Sequence, residues 1–340
     1  MKRTSIGGQG VLEGVMMQSE HTIAIAVRRE SGEIALQKKK AVLYSRKNKF
    51  LSLPVIRGVA SFVQMMFVGV TTITDSARLY DETAAAEELK PNAAEEFIAR
   101  KTGKSSMDVA IFFAVVVAVL IAVGLFFILP NFLTGLITHY INQPTLMNII
   151  DGALRLVIFL IYLYIITFLP DVKRLFSYHG AEHKVINCYE HECEMNVENA
   201  QKFTTRHPRC GTSYLLLVVV ISIFIFTLLG WDPNPFARIG FRILLLPLVA
   251  GVSYEFLKLV AKYDNKLTRI LRAPGMALQS LTTKEPDDAM VEVALVSFLA
   301  AEGERSEEEI EALRVSYSHI KQETQETAHG ETMHAENEHA

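Results

Sequence analysis

Val109-Ala110-Ile111-Phe112-Phe113-Ala114-Val115-Val116-Val117-Ala118-Val119-Leu120-Ile121-Ala122-Val123-Gly124-Leu125-Phe126-Phe127-Ile128-Leu129 decides the class of this fold. No charged side chain interrupts it. An α-helix needs about 20 apolar residues to cross a bilayer, and this run supplies them. Three further runs read the same way. Asn148–Leu169 carries only Asp151 and Arg155, spaced so that they can pair on one helix face. Tyr214–Gly230 is uncharged, and Phe241–Ala261 keeps its charges near its ends. The expectation is a mainly α, polytopic membrane bundle of about four spans.

Composition agrees. The 340 residues are 50% hydrophobic and only 21% charged, against about 25% in soluble domains. Mean hydropathy is +0.23. The net charge of −3 gives no sign of a nucleic-acid partner. The expected partner is the lipid bilayer. The first residues lack the apolar run of a secretory signal, so the later segments are expected to direct insertion.

Lysine and arginine in the loops set the expected orientation. They crowd the segment before the first span, from Arg28 to Lys104, and return in the loop Asp171–Ser213 and after Ala261. Pro130–Met147 has none, and Trp231–Gly240 has only Arg238. This predicts a multi-pass protein of the cell membrane with both termini and the Asp171–Ser213 loop in the cytoplasm. Cys188, Cys193 and Cys210 all lie in that loop. Three thiols in a reducing compartment make no disulfide framework.

The chain divides accordingly. Residues 1–53 form a cytoplasmic region with a glycine-rich loop and a β-hairpin. Residues 54–108 form a helical segment in which Val55–Thr74 lies on or partly in the membrane. The four-span domain covers 109–261, with its cytoplasmic loop at 171–213. Cytoplasmic helices fill 262–320, and 321–340 is a polar tail expected to be disordered. In the first region, Thr22–Val42 alternates as a hairpin around Ser31-Gly32. Gly7–Gln18, with four glycines, reads as an irregular loop, either packed under the hairpin or lining a site with Glu13 and Gln18. Asn131–Tyr140 reads as a short helix on the outer side.

The loop Asp171–Ser213 carries the candidate chemistry. His179, Glu182 and His183 form H-x-x-E-H. On a helix, positions i and i+4 share a face, so both imidazoles can meet one divalent ion. Glu182 lies beside that face, where it can orient or deprotonate a water activated by the ion. Glu190, His207 and Cys210 are candidates for the third ligand, and these ligand types suit zinc. Glu13, Gln18, Cys188, Arg206 and Arg209 are further candidate contacts. Plainer readings stand beside this one. The histidines and glutamate can be cap and interface residues. The metal can be structural, closed by four ligands. Lys184, Arg206 and Arg209 can simply meet anionic lipid heads. A thiol nucleophile at Cys188 or Cys210 is a weaker enzyme reading, since no base is fixed beside it.

Several long strings resemble the YqhQ-like bacterial membrane proteins. They are Gly7–Gln18 (GGQGVLEGVMMQ), Arg57-Gly58-Val59, His179–Glu190 (HGAEHKVINCYE), Arg206–Tyr214 (RHPRCGTSY) and Leu281–Val293 (LTTKEPDDAMVEV). The resemblance spans roughly Ile6 to Ala300. That family is of unknown function and labelled as metal-dependent enzymes. The resemblance implies a bacterial inner-membrane or plastid-type location. Family members often carry alanine where this chain has Gly10.

The leading expectation is a membrane-embedded, metal-dependent hydrolase with its site at the cytoplasmic face. His179 and His183 would bind the metal and Glu182 would act as general base. Its substrate would be a membrane-protein peptide bond or a lipid-linked ester or phosphate. The alternative is a non-catalytic scaffold or regulator with a structural metal. A transporter ranks third, because ionisable residues sit near the ends of the spans.

Overall fold

The computed structural model describes residues 5–42, 49–80, 106–137 and 140–318, apart from 142, 229, 231, 233 and 264. The polar tail, and most of the segment between the first long helix and the first predicted span, lie outside the described residues.

The N-terminal region is a four-stranded antiparallel meander: β1 (Gly7–Val11), β2 (Gly14–Gln18), β3 (Thr22–Arg28) and β4 (Ile34–Lys40), in that order. The hairpin expected over Thr22–Val42 is β3 and β4, registered from Thr22 opposite Lys40 to Arg28 opposite Ile34. The glycine-rich segment corrects the expectation of an irregular loop. It is a second hairpin, turning at Leu12-Glu13 with Glu13 at φ +49°. β2 is buried on both faces, so it does not alternate apolar with polar residues, and the usual signal is lost there.

One face carries Val15, Met17, Ala24, Ala26 and Ile34. It packs on a helix from the H-x-x-E-H segment and on another near the C-terminus. The other face, with Val11, Met16, Ile25 and Val27, packs against Val68, Leu79 and Tyr80 of helix α1 (Ile56–Tyr80). Along its second half α1 is stitched to the sheet. Gln9 Nε2 donates to Thr72 Oγ1 at 2.6 Å, Leu12 N–H to Ser76 Oγ at 3.2 Å, and Lys39 pairs with Asp75 at 2.5 Å.

The remaining helices are α2 (Ser106–Val123), which runs through a π-turn at Gly124–Ile128 into α3 (Leu129–Ile137), then α4 (Pro144–Ile166), α5 (Pro170–Glu190), α6 (Val197–Gln201), α7 (Thr212–Leu228), α8 (Pro235–Leu244), α9 (Leu246–Lys262), α10 (Lys266–Thr282) and α11 (Asp288–Glu302). A last helix, α12, covers 307–318.

Among the described residues three helices are long and apolar enough to cross a membrane: Ile56–Tyr80, Phe112–Ile137 and Pro144–Ile166. Phe112, Leu120 and Ile121 stay 63, 65 and 62% exposed, a surface suited to lipid rather than water. Two expected spans change shape. Tyr214–Gly230 is the shorter apolar helix α7. Phe241–Ala261 is not continuous: α8 and α9 meet at a 46° bend. Pro247 causes the break, because it has no N–H and its ring crowds the carbonyl four residues back. The short helix expected over Asn131–Tyr140 is present as α3, joined to α2 rather than separate.

Val55–Thr74 proves longer than expected and has two environments. The first turn of α1 touches the bundle: Arg57 is bonded to Glu255 through both guanidinium and carboxylate arms, and Gly58 packs on Gly251 of α9. The far half lies on the sheet. One helix therefore joins the apolar bundle to the sheet domain.

A candidate metal centre under the sheet

Helix α5 follows α4 after a three-residue link and opens on Pro170 and Asp171, both suited to a helix N-terminus. From Ser177 onward nearly every side chain is buried. The sheet covers it on one side and residues 203–213 and 279–285 on the other.

Residues in those two flanking segments position the imidazoles. His179 Nδ1 is 2.8 Å from Thr282 O, and His183 Nδ1 is 2.6 Å from Thr205 O. Carbonyl oxygens only accept, so each Nδ1 carries a proton, and in the neutral ring Nε2 is the nitrogen with a lone pair to offer. This is the arrangement by which ligating histidines are oriented. The two rings lie 4.5 Å apart between centroids. Cys210 brings its sulfur to 3.2 Å from His179 Nε2. The ligand atoms of His179, His183 and Cys210 all lie within 4.8 Å of one another. Two ligands about 2.0–2.3 Å from one tetrahedral ion are themselves separated by about 3.3–3.7 Å, so the donors are close to a common focus. Thr212 N–H donates to the Cys210 sulfur at 3.4 Å and holds it on that side.

Glu182 completes the group. Its Oε1 accepts from Gly8 N–H at 3.0 Å. Its Oε2 is buried without a hydrogen-bond partner among the described residues, 3.7 Å from His179 Nε2 and 4.0 Å from His183 Nε2. Burial pushes the Glu182 carboxyl above its ordinary range, opposed by His179, His207 and the Gly8 amide. Burial pulls His183 below the usual histidine range, which keeps its imidazole neutral. Among the described residues, this buried carboxylate oxygen meets no donor and faces two imidazole nitrogens and a thiol. The donor set present therefore fits a divalent metal such as zinc.

The other candidates occupy different places. His207 is also pulled down by burial, but its Nε2 turns to Glu190 Oε2 at 3.4 Å. Glu190 is bonded to Arg209 as well. His207 and Glu190, both buried, form a triad with the half-buried Arg209 beside the site, and the His207 ring lies 5.7 Å from that of His183. Of the three candidates for a third ligand, the structure brings Cys210 to the focus. Cys188 lies in the core, its thiol pushed up to about 11 by burial. Glu13 is tied to Arg174 and Tyr178, away from the imidazoles. Gln18 pairs in the strand ladder opposite Gly7 and Ile23. Arg206 contributes its carbonyl, which accepts from Asn187 Nδ2 at 3.1 Å.

Sequence reasoning passed over several residues. Gln279 clamps His207 from both sides, accepting its N–H and donating to its carbonyl, each at 2.8 Å. Thr205 and Thr282 act through backbone carbonyls, which carry no residue-type signal. Glycine was the available signal. A Cβ on Gly10 would stand 2.5 Å from Leu175 O and 3.0 Å from His179 N.

The Protein of unknown function (DUF1385) model matches residues 53–304, most of the chain. The chain belongs to that family. It is also similar to the uncharacterized protein YqhQ of Bacillus subtilis (strain 168), with 35% identity over 299 residues, 86% of this chain and 90% of that protein. No solved structure matches it. The family match covers α5, the Thr205–Cys210 segment and α10, so every candidate ligand lies within it.

Proposed function

We propose that the chain is a membrane-embedded, metal-dependent hydrolase. His179 Nε2, His183 Nε2 and Cys210 Sγ would hold the ion. The observation that carries this reading is the pairing of two carbonyl-anchored imidazoles with a thiol and a partnerless buried carboxylate oxygen. Bound there, a divalent ion would supply Lewis acidity and would lower the pKa of water toward about 7. Glu182 Oε2 would be placed to accept a proton beside the two imidazoles. Its raised affinity for a proton suits a general base near neutrality. Gly8 N–H keeps the other carboxylate oxygen fixed, so the free one stays aimed at the imidazoles. His183, neutral and held by Thr205 O, stays a ligand.

The loop-charge pattern supports placing this site on the cytoplasmic side, in the cell membrane. Helix α5 begins after a three-residue link from the end of the apolar helix α4. A substrate tethered to the bilayer, either a membrane-protein peptide bond or a lipid-linked ester or phosphate, would reach such a site.

A specific observation favours a second reading. Glu182 Oε2 is close enough to both imidazoles to serve as a fourth ligand, and it is buried. Four protein ligands make a closed structural site. The chain would then be a scaffold whose sheet domain is pinned to α5 by metal. Glu182→Gln separates the two. Metal content measured on purified protein is retained with activity lost if Glu182 is the base, and falls if Glu182 is a ligand. A wild type that binds no stoichiometric divalent metal overturns both.

A further inference from the structure

Helix α10 presents a surface that the metal centre does not use. Its protein-facing side is Thr268, Gly275, Leu278, Gln279 and Thr282, all buried. Gln279 and Thr282 reach the metal-centre segments, and Leu278 packs with Phe159 and Leu163 of α4. The first half of the helix also carries large apolar side chains that the described residues leave uncovered. Leu267, Ile270 and Leu271 are 65, 60 and 45% exposed. Positions i, i+3 and i+4 of a helix share one face, so these three form a single stripe.

Basic side chains border the stripe. At about 100° per residue, the order around α10 is the buried side, then the apolar stripe, then Lys266 and Arg269, both exposed. From Lys262 to Thr283 the sequence holds four cations, Lys262, Lys266, Arg269 and Arg272, against one acid, Asp264. A basic helix with an apolar face has the make-up of one that lies in a membrane interface.

Position favours lipid as the occupant. Helix α9 belongs to the bent pair that is long and apolar enough to cross a membrane, and it ends at Lys262. Tyr263, Asp264 and Asn265 alone link it to α10, a reach of about 11 Å at most. Asn265 caps α10, its side chain accepting from Thr268 N–H at 2.9 Å. Arg272 reaches back to donate to Val260 O at 3.0 Å and to Tyr263 O. The stripe is thereby held beside the last turn of α9, where Leu259 and Tyr263 are themselves exposed. Tyrosine at such a boundary is typical of the bilayer interface.

We propose that this half of α10 is a docking surface for anionic phospholipid. Leu267, Ile270 and Leu271 enter among the upper acyl chains, and Lys262 and Lys266 meet the headgroup phosphates. Lysine stems lie along apolar surface while the ammonium reaches the polar layer. Each such cation is expected to raise the preference for an anionic surface by about fivefold. This inference stands whether or not the metal reading does.

The test uses the full chain in nanodiscs. Trp231→Phe removes the sole tryptophan, and Ile270→Trp places a reporter in the stripe. Doxyl-labelled lipids quench tryptophan from within the bilayer, and acrylamide quenches it from water. Doxyl-phosphatidylglycerol should quench the reporter more than doxyl-phosphatidylcholine at equal mole fraction, with little effect of acrylamide. Lys266→Gln should cut that preference by about fivefold. Leu267→Trp, in the same stripe, serves as the reporter where Ile270→Trp does not fold. A reporter open to acrylamide shows a face in water and overturns the proposal. So does one shielded from both kinds of quencher, which shows a second copy or another protein on the stripe. Equal quenching by the two lipids, or a preference unchanged in Lys266→Gln, overturns it as well.

Discussion

Gly180→Ala is the sharpest probe of how the fold sets the metal centre. The added Cβ would lie 2.0 Å from Lys284 O, where real Cβ contacts essentially never fall below 3.0 Å. The segment after α10 must therefore retreat by about 1 Å or more. That segment donates Lys284 N–H to Phe176 O at 2.9 Å, and two residues earlier it supplies Thr282 O to His179 Nδ1 at 2.8 Å. Lengthening the latter by about 1 Å takes it past any useful hydrogen bond. The overpacking itself should cost about 1–3 kcal/mol. Losing the partner that orients a ligating histidine should lower metal affinity by about 10–100-fold. Competition for zinc with a chromophoric chelator measures this on detergent-purified protein, with thermal unfolding and size exclusion confirming a folded chain. Gly211→Ala is the control. It adjoins Cys210, but a Cβ there meets nothing within 4 Å. A folded Gly180→Ala protein with wild-type zinc affinity would refute the claim that the Thr282 carbonyl positions His179 as a ligand.

Other outcomes follow from single contacts. Cys210→Ser should lower zinc content while His207→Gln leaves it near wild type, because His207 Nε2 is turned to Glu190; metal analysis of the two proteins decides it. Arg28→Met should cost about 3–5 kcal/mol, since it strands Glu292 at the sheet–α11 contact, and adding Glu292→Met should recover much of that in denaturant titrations. Cys188 is fully buried, and a thiol pushed up to about 11 stays protonated as pH rises, with on the order of a thousandth as thiolate near pH 8. Peptide mapping after iodoacetamide treatment should therefore show Cys193 labelled first and Cys188 only on unfolding. Arg57→Met should loosen α1 from α9, seen as faster hydrogen exchange in the first turns of α1 with the sheet-bound half unchanged.

Much of the fold can be read from hydrophobic runs, because a bilayer demands a long uninterrupted apolar stretch and little else matches it. Val109–Leu129 and Asn148–Leu169 need no tertiary information. Phe241–Ala261 shows where that logic stops. Hydropathy averages over a window, while the bend depends on the single N–H missing at Pro247. The Gly7–Gln18 hairpin was hidden for a related reason. Glycine looks like loop in composition, yet here it lets a strand lie against α5, a contact that exists only after folding.

The sequence by itself determined that this chain has apolar helices of membrane length, and that two histidines and a glutamate share one face of α5. Helical periodicity is local, so residues four apart meet whatever else happens. It left the third ligand open among Glu190, His207 and Cys210. Tertiary structure brings forward Cys210 and turns His207 toward Glu190 and Arg209, because those positions depend on how the segment after α6 packs on α10. It also supplies the carbonyls of Thr205 and Thr282 and the amide of Gly8. Backbone groups are the same in every residue, and only packing decides which of them reaches a site.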